Sequence, residues 1–438
     1  MNHDGRTTRM QRARDRSADA LGATGHQHNL ILKRDHNVLF ILTNSTIIPG
    51  VILPPHLAHL PPPSPEAAAL SEALVAHVVR DIQKHNGWIS FARYMELALD
   101  TPGLGYYAAG ARKLGEGGDF VTAPEMTPLF AQCSARQGLD FGLPYVLELG
   151  AGSGALAVDL LLELERLECV PHKYFILEVS ADLRERQRER IAQLPSGLKE
   201  RVEWLDVLPL VFEGVILANE VLDAIPACVV TTCQGAILEA FVQYSSKDGL
   251  FSWYETTAPD HVSRAANQLN LPKHDYRTEI NLSTRALVSS LAQTLTRGVM
   301  LFIDYGFPAR EFYHPQRSSG TLMCHYRHHA HDDPFSLVGL QDITTHVDFS
   351  AVAEAAHAGG AALLGYANQA QFLINCGITE RLSQVPASDT ARYAPLAAAA
   401  QKLLSPAEMG ELFKVIALGK GVSTPLLGFT RGDKSHTL

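Results

Sequence analysis

The run Tyr145-Val-Leu-Glu-Leu149, Gly150-Ala-Gly152-Ser-Gly154 and then apolar Leu156–Leu167 constrains this 438-residue chain more than any other. A short apolar segment, three alternating glycines and a stretch of helical periodicity read as a buried strand, a tight turn and a helix. Glycine lets a ligand approach the backbone, and the helix start supplies unpaired N–H donors. The chain then repeats the unit. Tyr174–Glu178 is a second strand closed by an acid, followed by a charged helix over Ala181–Gln193. Val202–Leu205 and Gly214–Ala218 are a third and fourth strand, and Val299–Asp304, after a helix over Ser283–Thr296, is a fifth. Ala361–Tyr366 and Phe413–Leu418 supply two more. Strands alternating with helices predict an α/β fold with a mostly parallel sheet of seven strands.

Around this framework lie less regular segments. Ser64-Pro65-Glu66 has the residues of a helix start, and Leu70, Leu74, Val78 and Ile82 follow at helical spacing. With a short helix over Phe91–Leu99 they predict a helical cap. Residues 101–120 are dense in Gly and Pro, which predicts irregular backbone. Residues 227–257 carry short β-like segments around Lys247-Asp248-Gly249, the pattern of a β-hairpin insertion. Residues 306–345 read as a long polar loop.

Residues 1–63 differ from the remainder. Their apolar run, Val38–Leu53, is broken by Asn44, Ser45, Pro49 and Gly50 and falls short of the roughly 20 residues of a spanning helix. A poorly ordered extension is expected, and no membrane span. The arginine-rich start leaves a transit peptide as the alternative, with Asp4, Asp15, Asp19 and Asp35 counting against it. Six cysteines without a CxxC pair fit a reducing compartment. The cytoplasm is therefore expected, or the mitochondrial matrix if the extension is a transit peptide. A formal charge of −9 argues against nucleic-acid binding, which needs surplus Lys and Arg.

Two ligands suit the glycine loop. Gly150-x-Gly152-x-x-Ala155 satisfies a dinucleotide pattern. Glu148, two residues before the first glycine, favours S-adenosylmethionine, because a carboxylate there crowds a pyrophosphate but pairs with a methionyl ammonium. Glu178 suits ribose hydroxyls in either case. Asn219, Glu220 and Asp223 lie beyond the fourth strand and Asp304 ends the fifth, so these acids face the crevice where ligands of open sheets bind. Asp223, before Ala-Ile-Pro226, equally suits a helix cap.

Further blocks carry a family resemblance. They are Ile89–Glu96, Gly105-Tyr-Tyr107, Gly118–Glu125, Glu148–Gly154, Leu177–Ser180, Ala218–Pro226, Asp304–Gly306, Gly320–Leu322, Gln341-Asp342 with Thr345–Phe349, and Phe413–Val415. From about Ala67 to Lys420 the chain resembles the MidA-type S-adenosylmethionine-dependent methyltransferases, relatives of the arginine methyltransferase of complex I assembly. The resemblance implies a class I methyltransferase fold, S-adenosylmethionine as cofactor and a protein substrate, with complex I among the implied partners. Glu148, Gly150, Gly152, Gly154, Glu178 and Asn219 are then the expected cofactor residues.

Arginine methylation demands that carboxylates grip the guanidinium and localise its charge away from the attacking nitrogen. Glu220, Asp223 and Asp304 are the expected catalytic acids, with Asp119, His346 and Asp348 as substrate residues. The cluster His325-Tyr-Arg-His328-His329-Ala-His331-Asp332-Asp333 invites a metal reading, but an acceptor-site loop is favoured and no metal is expected. The division expected is an extension (1–63), helical cap and Gly-rich segment (64–140), S-adenosylmethionine-binding half (141–226), hairpin insertion (227–283), second half with the acceptor loop (284–425) and a tail (426–438). Rival readings are a cofactor-binding assembly chaperone without methyl transfer and a dinucleotide oxidoreductase.

Overall fold

A computed structural model describes residues 53–109, 121–139, 144–273 and 275–438. Asp119, the glycines at 115–118 and most of the amino-terminal extension lie outside the described residues. Helices α1 (Pro65–Lys84), α2 (Phe91–Asp100) and α3 (Pro128–Leu139) precede strand β1 (Tyr145–Leu149). Then come α4 (Ala155–Arg166), β2 (Lys173–Leu177), α5 (Ala181–Ile191), β3 (Val202–Leu205) and β4 (Phe212–Asn219). The second half holds α6 (Leu282–Thr294), β5 (Leu295–Phe307), α7 (Phe349–Ala358), β6 (Ala362–Asn368) and β7 (Phe413–Lys420).

The main sheet runs β6-β7-β5-β4-β1-β2-β3, with a two-residue strand, Val347–Asp348, beside β5 as an eighth member. β7 is antiparallel to both neighbours, and β5-β4-β1-β2-β3 are parallel. A ladder of buried aliphatics drives this order. Leu147, Ile216, Met300 and Ile416 point to one face, Val146, Ile176, Val215 and Val415 to the other. α3, α4 and α5 pack on the second face, α6 and α7 on the first. α6 starts at Leu282 because the Asn281 side chain accepts the Thr284 N–H at 2.7 Å, and Thr296 belongs to β5.

Two irregular regions are more ordered than their sequence implies. The hairpin Ala236–Ser245/Leu250–Thr257 turns at Lys247-Asp248-Gly249, where Gly249 has φ 70°. It belongs to a five-stranded sheet with Cys228–Cys233, Tyr276–Ile280 and Trp88–Ser90, and a helix, Asp260–Gln268, packs beside it. α1 and α2 bury Leu74, Val78, Phe91 and Tyr94 against this sheet. The segment 306–345 is not a loop throughout. Met323–Tyr326, His329–His331 and Asp342–Thr344 form a three-stranded sheet whose inward residues, Cys324 and Ile343, are fully buried. Strands of three or four residues are too short to show alternation in sequence. Leu57 and Leu60, ahead of the prolines at 61–63, are buried against Ala68, Tyr326 and Leu337. No helix among the described residues is long and apolar enough to cross a membrane.

Candidate active site

At the carboxyl end of β1 the chain turns through Gly150, Gly152 and Gly154 at φ 57°, 54° and 83°. L-residues with a side chain avoid this region. At Gly150 a Cβ would also stand 3.0 Å from Val221 Cγ2. The turn and its neighbours line a cavity of about 350 Å³. Glu148, Gly150, Gly152, Glu178, Asn219 and Glu220 all face it. Gly154 does not; it caps α4 in the left-handed conformation, against Gln187.

Two acids flank the turn. Glu148 is buried in β1 and accepts the Tyr174 hydroxyl proton at 2.7 Å. Burial pushes its carboxyl up to about 7; the Tyr174 hydrogen bond works against this rise and Glu178 adds to it. Glu178 follows β2 and accepts the Ser180 N–H and the Gln187 side-chain N–H, each at 3.0 Å. Gln187 also donates to the Gly152 carbonyl and accepts from Trp204 Nε1. One buried amide thus ties α5 to the glycine turn and to Glu178. Gln187 is the sole uncharged polar side chain in the run Arg184–Arg190, a signal that could have marked it.

A second group of acids lies beyond β4 and β5. Glu220 has φ 52°, outside the range favoured by side-chain-bearing residues, with its N–H held by the Ile303 carbonyl at 2.9 Å. Strained backbone of this kind concentrates at functional sites. Asn219 donates to Glu220 Oε1 at 3.0 Å, while Asn219 Oδ1 is buried without a partner. Burial, reinforced by the charge of Asp223, raises the Glu220 carboxyl to about 8. Asp223 accepts the Tyr305 hydroxyl proton at 2.6 Å, and its other oxygen is buried and unpaired.

Asp304 differs from both in its partners. Like Asp223, which is 5% exposed, it does not line the cavity, so of the three expected catalytic acids only Glu220 does. Unlike Asp223, Asp304 is 1% exposed and accepts N–H groups from Leu222, Asp223 and Tyr305 at 2.9, 3.2 and 2.9 Å. Burial first and the charges of Asp223 and Glu220 next hold its carboxyl well above the usual range. Its position is that of a clamp holding the 220–223 turn. Asp304→Ala is expected to cost at least about 3 kcal/mol, because three buried donors lose their acceptor at roughly 1–3 kcal/mol each. Urea denaturation of the variant checks this, and an unchanged midpoint would deny the clamp.

The structure does not bring His346 and Asp348 to the cavity. Asp348 caps α7, accepting the Ala351 N–H at 3.1 Å, and His346 packs edge-on to Tyr305 with ring centres 5.2 Å apart. They line a separate small cavity with Arg285 and Tyr313. The histidine-rich segment holds the amino-terminal strap: His56 lies 3.8 Å from Asp333, and His59 packs edge-on to His329. Among the described residues no cluster of three or more His, Cys, Asp or Glu could hold a metal.

Residues not anticipated also reach the site. Asp100, at the end of α2, lines the cavity, and burial raises its carboxyl to about 6. Glu125 accepts from Ser153 and from Arg190. Tyr107 donates its hydroxyl proton to Asp342 at 2.8 Å, and its carbonyl accepts from Ser180 Oγ at 2.7 Å. The cap is thus hydrogen-bonded to the crevice.

Strand order with a reversed β7, a glycine turn after β1 and acids at the carboxyl ends of β1, β2 and β4 define a class I methyltransferase. Comparison with known proteins agrees. Residues 131–367 match the model of the family described as "Putative S-adenosyl-L-methionine-dependent methyltransferase", and the chain belongs to that family. A crystal structure from Burkholderia thailandensis, bound to S-adenosyl-homocysteine, is 48% identical, with a TM-score of 0.83 over 86% of this chain and all of that one. The mitochondrial protein arginine methyltransferase NDUFAF7 is 28% identical in human over 79% of this chain and 83% of its own. Its Drosophila melanogaster homologue is 28% identical over 84% and 92%.

The cofactor of this family, S-adenosylmethionine, suits the residues present. The cavity is walled at the turn by Gly150 and Gly152, which bring no Cβ atom to it, carries an acid for each cationic or hydroxylic end of such a ligand, and leaves Asn219 Oδ1 unpartnered beside it.

Proposed function

We propose that this methyltransferase modifies arginine in a protein substrate, with respiratory complex I as the destination of that substrate. The observation that carries the reading is Glu220, whose carboxylate shares one cavity with the glycine turn. When bound, S-adenosylmethionine supplies an electrophilic methyl on a sulfonium. Glu148 would pair with the methionyl ammonium and Glu178 with the ribose hydroxyls. Gly150 and Gly152 would let the backbone close on the ligand, while Gly154 holds the turn.

Glu220 would then grip the guanidinium N–H groups that do not react, and so aim the remaining nitrogen along the transfer line. Alignment of this kind is worth roughly 7–11 kcal/mol in well-oriented systems. Glu220 would also take the proton released once the nitrogen is methylated, with Asp223, held by Tyr305 behind the cavity lining, favouring the protonated form through its charge. NDUFAF7 supports the arginine reading as a distant relative named for arginine methylation; the complex I reading rests on the family resemblance alone.

The test is transfer of label from S-adenosylmethionine into proteins of a lysate from cells lacking the gene. Wild type is run beside Gly152→Val, whose side chain strains a residue at φ 54° and enters the cavity. Label on arginine of one protein, lost in the variant, is the expected result. Label on another residue type overturns the acceptor. Absence of label with cofactor binding intact favours an assembly chaperone.

A further inference from the structure

Parallel sheets are normally covered by crossover helices on both faces. One crossover here departs from that. β3 ends at Leu205, level with Leu177, Leu149 and Ala218 across the sheet. β4 begins at Phe212, two residues before Gly214, which is level with Tyr145. From one end to the other the chain must descend about 20 Å along the strands and pass about 14 Å sideways over β2 and β1. The diagonal is about 25 Å, near the limit that the seven steps between Leu205 and Phe212 reach when fully extended. No helix fits between these strands, and none forms.

The segment Asp206-Val-Leu-Pro-Leu-Val211 therefore crosses the sheet as a bare strap. Leu208 packs on the core, but Val207 is 74%, Leu210 96% and Val211 67% exposed. Beneath it Tyr145, Phe175 and Leu205 are only partly buried, on the face that α6 and α7 cover farther along. Exposed apolar groups scattered singly are ordinary; a contiguous group over an uncovered sheet face marks an interaction surface.

We propose that this face packs on the same face of a second copy of the chain, as a two-fold dimer. Charge selects this occupant. The charges around the strap are already paired within the chain: Arg184 with Asp206 at 2.6 Å, Lys173 with Glu203 at 3.4 Å and Arg297 with Glu213 at 3.0 Å. A basic partner finds no free acid in these pairs. An identical copy meets a locally neutral surface here, and the repulsion between two chains of charge −9 then comes from more distant groups, which salt screens beyond about 8–10 Å. A stable interface needs about 800 Å² from each partner. Val207, Leu210 and Val211 with the half-buried rings below would form its apolar centre, and the paired charges its rim. Leu210 and Val211 lie toward the amino-terminal edge of the strands, so the cavity at the carboxyl edge stays open in the dimer.

Sedimentation of the full chain at micromolar concentration should give twice the monomer mass of 47.7 kDa. Leu210→Asp with Val211→Asp should weaken association at least about 100-fold. Both side chains are exposed, so cofactor binding reports that the variant is folded. Leu162→Asp, at an exposed leucine on α4, should leave the dimer intact. If Leu210→Asp/Val211→Asp proves unfolded, Leu210→Ser serves in its place. A monomeric wild type, or a dimer that survives the strap substitutions, overturns the proposal. If that monomer still protects residues 206–211 from hydrogen exchange, a segment of the same chain covers the face instead.

Discussion

Glu220→Gln is expected to lower kcat/KM for the acceptor at least about 100-fold, a loss of about 3 kcal/mol, with cofactor affinity little changed. Glutamine preserves the shape and the contact with Asn219 but removes the charge that would hold a guanidinium. A charge-assisted pair is about twice as strong as a neutral one, and it also sets the attack geometry. The pH profile separates this from a packing defect. In the empty protein burial holds the Glu220 carboxyl at about 8. An arginine substrate stays protonated throughout the working range. Wild-type kcat/KM should therefore climb as pH rises toward 8, as the carboxylate is uncovered, and then level off. The variant should lack that limb. Steady-state kinetics with an arginine-bearing acceptor, beside equilibrium binding of S-adenosyl-homocysteine, read both quantities. Near-normal turnover in the variant would remove Glu220 from the acceptor site.

The part of the architecture legible in sequence was the part written in local periodicity. β1, the glycine turn and α4 are contiguous, so Tyr145–Arg166 could be placed from spacing alone, and the acids at strand ends followed from the rule that open sheets bind at their carboxyl edge. What escaped is non-local. Asp304 looks like Glu220 in sequence, an acid at a strand end. Only the fold shows that its oxygens are taken by N–H groups of Leu222, Asp223 and Tyr305. Asp348 and His346 were drawn in by residue type, although Asp348 caps α7. Asp100 and Tyr107 reach the cavity from the cap, far off in sequence, and no periodic signal announces such a contact. The strap at 206–211 was passed over because an absent helix leaves no pattern. It is visible only when strand registers fix how far the chain must travel.

Glu148→Gln is expected to move stability and binding in opposite directions, which marks a group kept for ligand rather than for fold. Glu148 is fully buried, and its carboxyl is raised from 4.5 to about 7. An acid with a raised folded value binds its proton more tightly in the native state. Between those two values the folded protein holds more protons than the unfolded one, so stability falls as pH rises. The stability forgone by pH 8 is on the order of 3 kcal/mol, at about 1.4 kcal/mol per pH unit. Gln carries no ionisation to suppress and still accepts the Tyr174 hydroxyl. The ligand-free variant should therefore melt higher than wild type at pH 8 and close to it at pH 5. Added S-adenosylmethionine should close most of that gap at pH 8 and place wild type above the variant at pH 5. At 100 times its dissociation constant a ligand stabilises by about 2.7 kcal/mol, and the variant, without a partner for the methionyl ammonium, should lose most of that shift. Thermal denaturation at both pH values, with and without cofactor, gives all four quantities. A variant that keeps the full ligand-induced shift would show that Glu148 does not hold the cofactor. A ligand-free wild type whose melting temperature does not fall between pH 5 and 8 would show that burial does not strain this carboxylate.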